Sequence, residues 1–193
     1  MRIRGVDLAA RYSAWVDLDS DGTVAAQGDS LDGRPVSTVC TEGLGGVDVL
    51  MIEDVPPRIQ FTGIVKTVCR AQGRIFERLT DDQLSRTFLV PPGPWQTYQK
   101  VSRKSLKETE AVAASLGYVP PDLLSVHGDR LEGLKGPARQ KVRGILLKAR
   151  TDYVDAFLIA EWGQRRFHEI HTYLTVSHWD PESRDFVRFT REE

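Results

Sequence analysis

Short apolar runs separated by turn residues fill the first third of the chain, a pattern typical of strands. Three runs, Arg2 to Asp7, Tyr12 to Leu18 and Thr23 to Ala26, predict an antiparallel meander. A continuous apolar run from Val47 to Glu53 is typical of a parallel strand that is buried on both faces. The N-terminal third therefore predicts a mixed sheet.

Helical spacing dominates the later part of the chain. It predicts a long helix from about Arg58 to Leu79, a helix from about Ser102 to Leu116, and another starting near Pro137. A short strand, Thr87 to Val90, precedes PPGPW, which we interpret as a rigid turn because prolines disfavour a helix. Its tryptophan is interpreted as a packing plug rather than as a platform for an unpaired base.

Four acids stand out because each adjoins an apolar run. Asp7 ends the first strand and Glu53 ends the parallel strand, while Asp152 and Asp155 open a late helix and share one of its faces. Taken singly, such acids are explained as turn residues or as charges at a helix N-terminus. As a set they predict a metal site, because buried carboxylates need a cation or a donor. Oxygen ligands select hard ions, Mg²⁺ or Mn²⁺.

Other metal signatures are weaker. Asp17, Asp19 and Asp21, around the turn between the second and third strands, suit hairpin chemistry, since no acid closes a calcium loop of the required length. Two histidines in the C-terminal tail lack a further ligand, and the two cysteines, Cys40 and Cys69, form neither a zinc motif nor a disulfide framework. The tail is expected to add a hairpin and no catalytic group.

Charge is sorted along the chain in a way that the net charge of −1 conceals. Residues 1–57 carry a net charge of −6, residues 58–150 carry +9, and residues 151–193 carry −4. An acidic pocket beside a basic surface suits an enzyme that cuts phosphodiesters, because lysine and arginine hold the nucleic-acid backbone. The sorting therefore favours a nuclease over a hydrolase of small molecules.

Two segments carry the candidate DNA contacts. GPARQKVRGILLKAR predicts a helix with an apolar face that displays Arg139, Lys141, Arg143 and Lys148. A second group lies on or just before the preceding helix and consists of Lys100, Arg103 and Lys104. A solvated helix face is the alternative explanation for each of these residues.

Five short motifs follow one another between Arg2 and Arg166: GVDLAARYSAW, LMIEDVPP, CRAQGRI, GPARQKV and DYVDAFLIAEW. In these motifs and their order, the chain resembles the RuvC family of Holliday junction resolvases. The resemblance implies a ribonuclease H-like α/β fold, with a mixed central sheet of three antiparallel N-terminal strands plus parallel strands, flanked by helices. It implies a homodimer that nicks branched DNA symmetrically. It assigns catalysis and binding of Mg²⁺, for which Mn²⁺ is expected to substitute, to Asp7, Glu53, Asp152 and Asp155. The family's essential lysine corresponds to Arg139 or Lys141.

The expected organisation is a nuclease domain over residues 1–166 with residues 167–193 as its extension. No apolar run is long enough to span a bilayer and the start is no secretory signal, so a cytoplasmic protein is expected. Alternatives are a nuclease for RNA–DNA hybrids or flaps, and a non-catalytic protein that binds branched DNA. An ATPase core is disfavoured because no glycine-rich phosphate loop follows Asp7 or Glu53.

Overall fold

The computed structural model of the 193-residue chain describes residues 1–9, 12–54, 62–101, 105–170, 177–180 and 185–188. Its strands are β1 (Ile3–Asp7), β2 (Ala14–Leu18), β3 (Val24–Asp29), β4 (Val49–Glu53), β5 (Thr87–Val90), β6 (Ser177–Asp180) and β7 (Asp185–Arg188). Its α-helices are α1 (Val36–Thr41), α2 (Thr62–Phe76), α3 (Asp81–Ser85), α4 (Pro92–Tyr98), α5 (Leu106–Ser115), α6 (Leu123–Val126) and α7 (Gly136–Ile170). Single 3₁₀ turns occur at Leu44–Gly46 and Gly128–Leu131.

A five-stranded mixed sheet forms the centre of the fold, with the strand order β3-β2-β1-β4-β5. The strands β1, β2 and β3 pair antiparallel, and β4 and β5 add to β1 in parallel. This sheet confirms the predicted meander and the predicted parallel strand. The tail forms the expected hairpin, β6 with β7.

The two faces of the sheet bury different sets of residues, because successive side chains of a strand point to opposite faces. Ile3 of β1 and Met51 of β4 belong to the core on the α7 side. Val6 of β1 and Ile52 of β4 belong to a second core, which includes residues of α1 and α2. Buried side chains of α7 cover the first face over much of the helix's length. The sheet is thus covered by helices on both faces.

Two glycines let α7 lie unusually close to the sheet. A Cβ atom on Gly5 of β1 would collide with the backbone oxygen of Ala156 and would lie 2.7 Å from the Ala160 nitrogen. A Cβ atom on Gly163 of α7 would collide with the Met51 sulfur. The contact of α7 with Gly5 therefore begins at Ala156, the residue that follows Asp155.

Two local predictions were wrong. PPGPW is not a rigid turn, because α4 starts at Pro92. A proline is tolerated in the first helical turn, because the backbone N–H that it lacks would have no partner within the helix there. Asp152 and Asp155 do not open a helix. They lie deep inside α7, which starts at Gly136 and continues to Ile170 with a kink at Arg166. A helix N-terminus therefore does not explain these acids.

Other boundaries agree more closely. The helix predicted from about Arg58 is described from Thr62 and ends at Phe76, while residues 55–61 lie outside the described part of the chain. The turn between β2 and β3 has ordinary turn chemistry: Asp21 accepts hydrogen bonds from the Thr23 nitrogen and hydroxyl at 2.9 and 2.7 Å. Across the described residues, no helix has the length and apolar character needed to cross a membrane.

Candidate metal centre

The register of the two central strands brings Asp7 and Glu53 side by side. Gly5 pairs with Met51 and Val6 pairs with Ile52 in the parallel ladder, so the next residue of each strand is an acid. Both acids share the strand parity of Ile3 and Met51, and therefore point to the α7 side of the sheet. Carboxyl ends of parallel strands are where α/β folds place their sites.

The middle of α7 supplies the other two acids. Asp152 is buried and Asp155 is half-buried, among apolar residues that pack on the sheet. Lys148 lies one turn earlier, and its Nζ donates to Asp152 Oδ1 at 2.9 Å. The structure thus brings all four predicted acids together, with the Lys148 ammonium beside them.

Electrostatic interactions show that the four acids form one cluster. Burial raises the pKa of Asp7 well above its usual value, and the charges of Glu53, Asp152 and Asp155 raise it further. Burial, Glu53 and Asp152 likewise raise the pKa of Asp155 to about 7. The Asp7 carboxyl group in turn lowers the pKa of Glu53 and of Asp152, although burial raises both pKa values overall.

Lys148 partly offsets this concentration of negative charge. Burial lowers the pKa of Lys148, but the charge and hydrogen bond of Asp152, together with Asp7 and Asp155, raise it to above its usual value. The same ammonium lowers the pKa of Asp152, whose burial nevertheless raises the value overall. Lys148, whose side chain is 63% exposed, is therefore a counter-ion at the solvent edge of the cluster.

The residues present fit a divalent cation. Asp152 Oδ2 is buried and has no hydrogen-bond partner, which is costly for a carboxylate unless a cation approaches it. Carboxylate oxygens are the ligands that Mg²⁺ and Mn²⁺ prefer. Within the described ranges, however, no three His, Cys, Asp or Glu side chains are already arranged around a common point that could hold an ion. Ion binding therefore requires the acid side chains to turn toward the ion.

Glu53 is held in place by two residues that sequence reasoning did not assign to the site. Trp95 of α4, which is only 1% exposed, donates from Nε1 to Glu53 Oε1 at 3.2 Å. Gln72 of α2 donates from Nε2 to the Glu53 backbone oxygen at 3.4 Å. The interpretation of Trp95 as a buried packing residue rather than a base platform agrees with this burial, but the indole also orients an acid.

The helix α4 is itself anchored on α7, which fixes the position of Trp95. The Gln99 amide donates to the buried Glu161 carboxylate, and Arg165 forms an ion pair with the same carboxylate. The Arg166 guanidinium lies 5.3 Å from the centre of the Tyr98 ring. Both helix acids and the Trp95 donor are therefore positioned by one helix, α7.

The predicted DNA contacts are distributed differently from the acids. Arg139, Lys141 and Arg143 are exposed in the first turns of α7. Lys100 is exposed just after α4, with a left-handed φ of 55°. Arg103 and Lys104 lie outside the described residues. Lys148, also predicted as a DNA contact, is exposed and forms an ion pair with Asp152, and the spacing of four between them is the signal that could have indicated this pair.

Comparison with known proteins adds a finding about the fold. No protein-family model matches the sequence, and no curated protein sequence matches it. The structure of Thermus thermophilus RuvC in complex with a Holliday junction substrate superposes with a TM-score of 0.57 at 11% identity, covering 88% of this chain and 96% of that chain. Another Thermus thermophilus RuvC structure gives a TM-score of 0.53 at 12% identity with the same coverage. The chain therefore has a RuvC-like, ribonuclease H-like fold, as its motifs predict.

Proposed function

We propose that this protein is a metal-dependent, structure-selective endodeoxyribonuclease that resolves Holliday junctions and other branched DNA. The observation that carries the proposal is the cluster of Asp7, Glu53, Asp152 and Asp155 at the carboxyl ends of two parallel strands, with a buried carboxylate oxygen that lacks a partner. The RuvC-like fold supports the choice of branched DNA as the substrate class.

Asp7, Glu53, Asp152 and Asp155 would hold the ions. Two Mg²⁺ ions, when bound, would supply an activated water and would stabilise the leaving oxygen of the phosphodiester. Within the chain, Trp95 fixes one oxygen of Glu53 by its hydrogen bond at 3.2 Å. Lys148 offsets part of the negative charge of the acids before any ion binds.

The backbone of the DNA is proposed to contact the exposed basic residues of α7. Arg139, Lys141 and Arg143 lie within two turns of the helix start at Gly136, on the same helix as the two acids. A duplex arm lying along this segment would lead its phosphates toward Asp152. Lys100, Arg103, Lys104 and Lys148 are proposed as further contacts.

Symmetric cutting of a four-way junction needs two active sites, so we propose a homodimer with a two-fold axis. We also propose that residues 1–166 form the nuclease domain and residues 167–193 an extension of it, since the kink of α7 falls at Arg166. Light scattering at micromolar concentration should give twice the mass of the 21.7-kDa chain. A monomer at every concentration would contradict the dimer.

A panel of labelled DNA tests the proposal: four-way junction, flap, duplex and RNA–DNA hybrid, each with Mg²⁺, with Mn²⁺ and with EDTA. Paired nicks on the junction that need the metal are the expected result. Cleavage confined to the hybrid or the flap would mean that the proposed substrate class is wrong, while the four acids would remain the proposed catalytic residues. Tight junction binding without cleavage of any substrate would indicate a non-catalytic branch-binding protein.

A further inference from the structure

A buried carboxylate outside the acid cluster holds the C-terminal end of α4. Glu161 is only 5% exposed and lies six residues after Asp155 on α7, about 9 Å along the helix axis. It accepts a hydrogen bond from the Gln99 amide and forms an ion pair with Arg165. A buried ion pair is weak evidence for stability, because apolar residues of similar volume often stabilise a fold equally well. The charge at this position therefore points to a role other than stability.

Trp95 and Gln99 of α4 connect this carboxylate to the candidate metal centre. They are four residues apart, so they lie on the same face of the helix, and both are buried. The Gln99 backbone nitrogen donates to the Trp95 backbone oxygen at 2.9 Å. From this one face, the indole donates to Glu53 and the amide donates to Glu161. A displacement of Gln99 would therefore move the Trp95 donor that holds Glu53.

The orientation of α4 depends on such contacts. The helix has seven residues, fewer than the roughly 12–15 that make even an isolated helix marginally stable. It follows β5 almost directly, and the chain leaves it at Lys100 with a left-handed φ of 55°. Among the described residues, the side-chain hydrogen bonds that α4 and its C-terminal cap make to other elements are those of Trp95 and Gln99. Glu53 and Glu161 are thus its two polar anchors.

The chemistry of the second anchor makes it directional. A carboxylate only accepts hydrogen bonds, so the Gln99 side chain must present its NH₂ group to Glu161. A hydrogen bond restricts both distance and angle, whereas apolar contact is non-directional. An apolar pair at these two positions would cover the same surface without fixing how α4 lies on α7.

We propose that Glu161 is a positioning residue of the candidate metal centre. It fixes α4 against α7, and Trp95 then fixes the Glu53 carboxylate. Because Asp152 and Asp155 also lie on α7, the strand acid and the helix acids are held in one frame. Residues behind the metal ligands commonly orient them in this way. The effect on metal binding rests on the proposed function, whereas the effect on the Trp95 hydrogen bond does not.

Hydrogen exchange of the tryptophan indole N–H groups, followed by NMR of the full chain in EDTA, tests the inference. Trp95→Phe identifies the Trp95 signal, and Trp15, which belongs to the core on the other face of the sheet, is the internal reference. In Glu161→Leu, the Trp95 indole should exchange at least about tenfold faster relative to Trp15. Glu161→Gln should keep most of the protection, because its amide oxygen still accepts from Gln99.

The competing explanation is that apolar packing alone holds Trp95, which also belongs to the core. An unchanged Trp95 signal in Glu161→Leu would overturn the inference. So would an equal acceleration of Trp15, which would show a general loss of stability.

Two further variants separate positioning from stability. Glu110→Leu is the matched control, because Glu110 is another helix carboxylate that pairs with an arginine of α7, Arg150, at 2.6 Å. It should leave the Trp95 signal unchanged, and an effect as large as that of Glu161→Leu would overturn the inference. The double substitution Glu161→Leu with Gln99→Leu leaves no buried amide unpaired and should still accelerate Trp95 exchange. Full protection of Trp95 in this folded double variant would also contradict a positioning role.

Calorimetric titration with Mn²⁺ then tests whether the effect reaches the metal ligands. Glu161→Leu should weaken Mn²⁺ binding about tenfold or more. In the Trp95→Phe background, the same substitution should weaken it less than about twofold further, because the link through the indole is already lost. Losses that multiply in the double variant would show that Glu161 does not act through Trp95.

The outcome is separable from that of the proposed function, because indole exchange is measured without metal or DNA. Faster Trp95 exchange in Glu161→Leu, in a protein that binds no Mn²⁺ and cleaves no DNA, would keep the positioning of Glu53 and refute the nuclease. Metal-dependent junction cleavage by the wild type, with unchanged Trp95 exchange in Glu161→Leu, would refute the positioning role and keep the nuclease.

Discussion

Replacing Asp155 by asparagine should stabilise the metal-free protein, although the residue lies in the centre of the candidate site. The pKa of Asp155 rises from an ordinary 3.8 to about 7, chiefly through burial and then through the charges of Glu53 and Asp152. Between these two pH values the folded chain keeps a proton that the unfolded chain releases. Folding stability therefore falls as the pH rises from about 4 to about 7, and stays low above that.

The size of the effect follows from the same two values. At 1.36 kcal/mol for each pKa unit, ionising Asp155 costs on the order of 4 kcal/mol of folding free energy at pH 8. Asp155→Asn removes that charge, so its melting temperature in EDTA at pH 8 should exceed that of the wild type by roughly 5–15 °C. Toward pH 4 the difference should nearly vanish, because the folded wild type is already protonated there.

Thermal melts followed by circular dichroism at pH 4, 6 and 8, with EDTA and with Mg²⁺, provide the assay. Mg²⁺ should raise the melting temperature of the wild type more than that of the variant, because an ion that binds only the folded state stabilises it. Asp129→Asn, an exposed aspartate in a 3₁₀ turn, is the control and should change stability by less than about 0.5 kcal/mol. An Asp155→Asn variant that is less stable than the wild type in EDTA at pH 8 would refute the reasoning.

Three further changes probe the surroundings of the acids. Trp95→Phe keeps a buried ring but removes the donor to Glu53. Because a hydrogen bond to a charged group contributes about 1.5–3 kcal/mol, kcat for junction cleavage should fall about tenfold with KM unchanged. An unchanged kcat would show that the indole only packs. Lys148→Met should lower the free energy of unfolding in EDTA at pH 8 by about 1 kcal/mol, because the ion pair with Asp152 is lost. Saturating Mg²⁺ should reduce this loss of stability. An equal loss with and without metal would contradict a counter-ion role. Gly5→Ala should lower the free energy of unfolding by at least about 1–3 kcal/mol, because the added Cβ forces β1 away from α7. Gly144→Ala, at an exposed position of α7 with nothing within 4 Å, should raise it by about 0.5–1 kcal/mol. Similar denaturation midpoints for the two variants would refute the close packing.

The strand acids could be predicted from the sequence because their position depends on local rules. An apolar run defines a buried strand, the alternation of side chains defines the face, and the end of the run places Asp7 and Glu53 at one edge of the sheet. Parallel pairing of β1 with β4 then brings the two acids together. The helix acids were predicted for a partly wrong reason, since their spacing of three was informative and their supposed helix start was not.

The contacts that position the site could not be predicted in the same way, because they join distant segments. Trp95 reaches Glu53 across 42 residues of sequence, and Gln99 reaches Glu161 across 62. The prolines before Trp95 suit either a turn or a first helical turn, and only the packing of α4 on α7 decides between them. Lys148 posed a similar difficulty, because an exposed lysine on a helix suits a phosphate and a neighbouring carboxylate equally well.

Cleavage of a four-way junction by the wild type and by Asp7→Asn is the decisive comparison, because Asp7 interacts electrostatically with the other acids and lies far in sequence from the basic residues of α7. Junction affinity in EDTA and the rate of paired nicking in Mg²⁺ are measured on the same preparations. The account predicts equal affinities, metal-dependent paired nicks by the wild type, and a loss of rate of about a thousandfold or more in the variant. An Asp7→Asn protein that nicks the junction as fast as the wild type would contradict it.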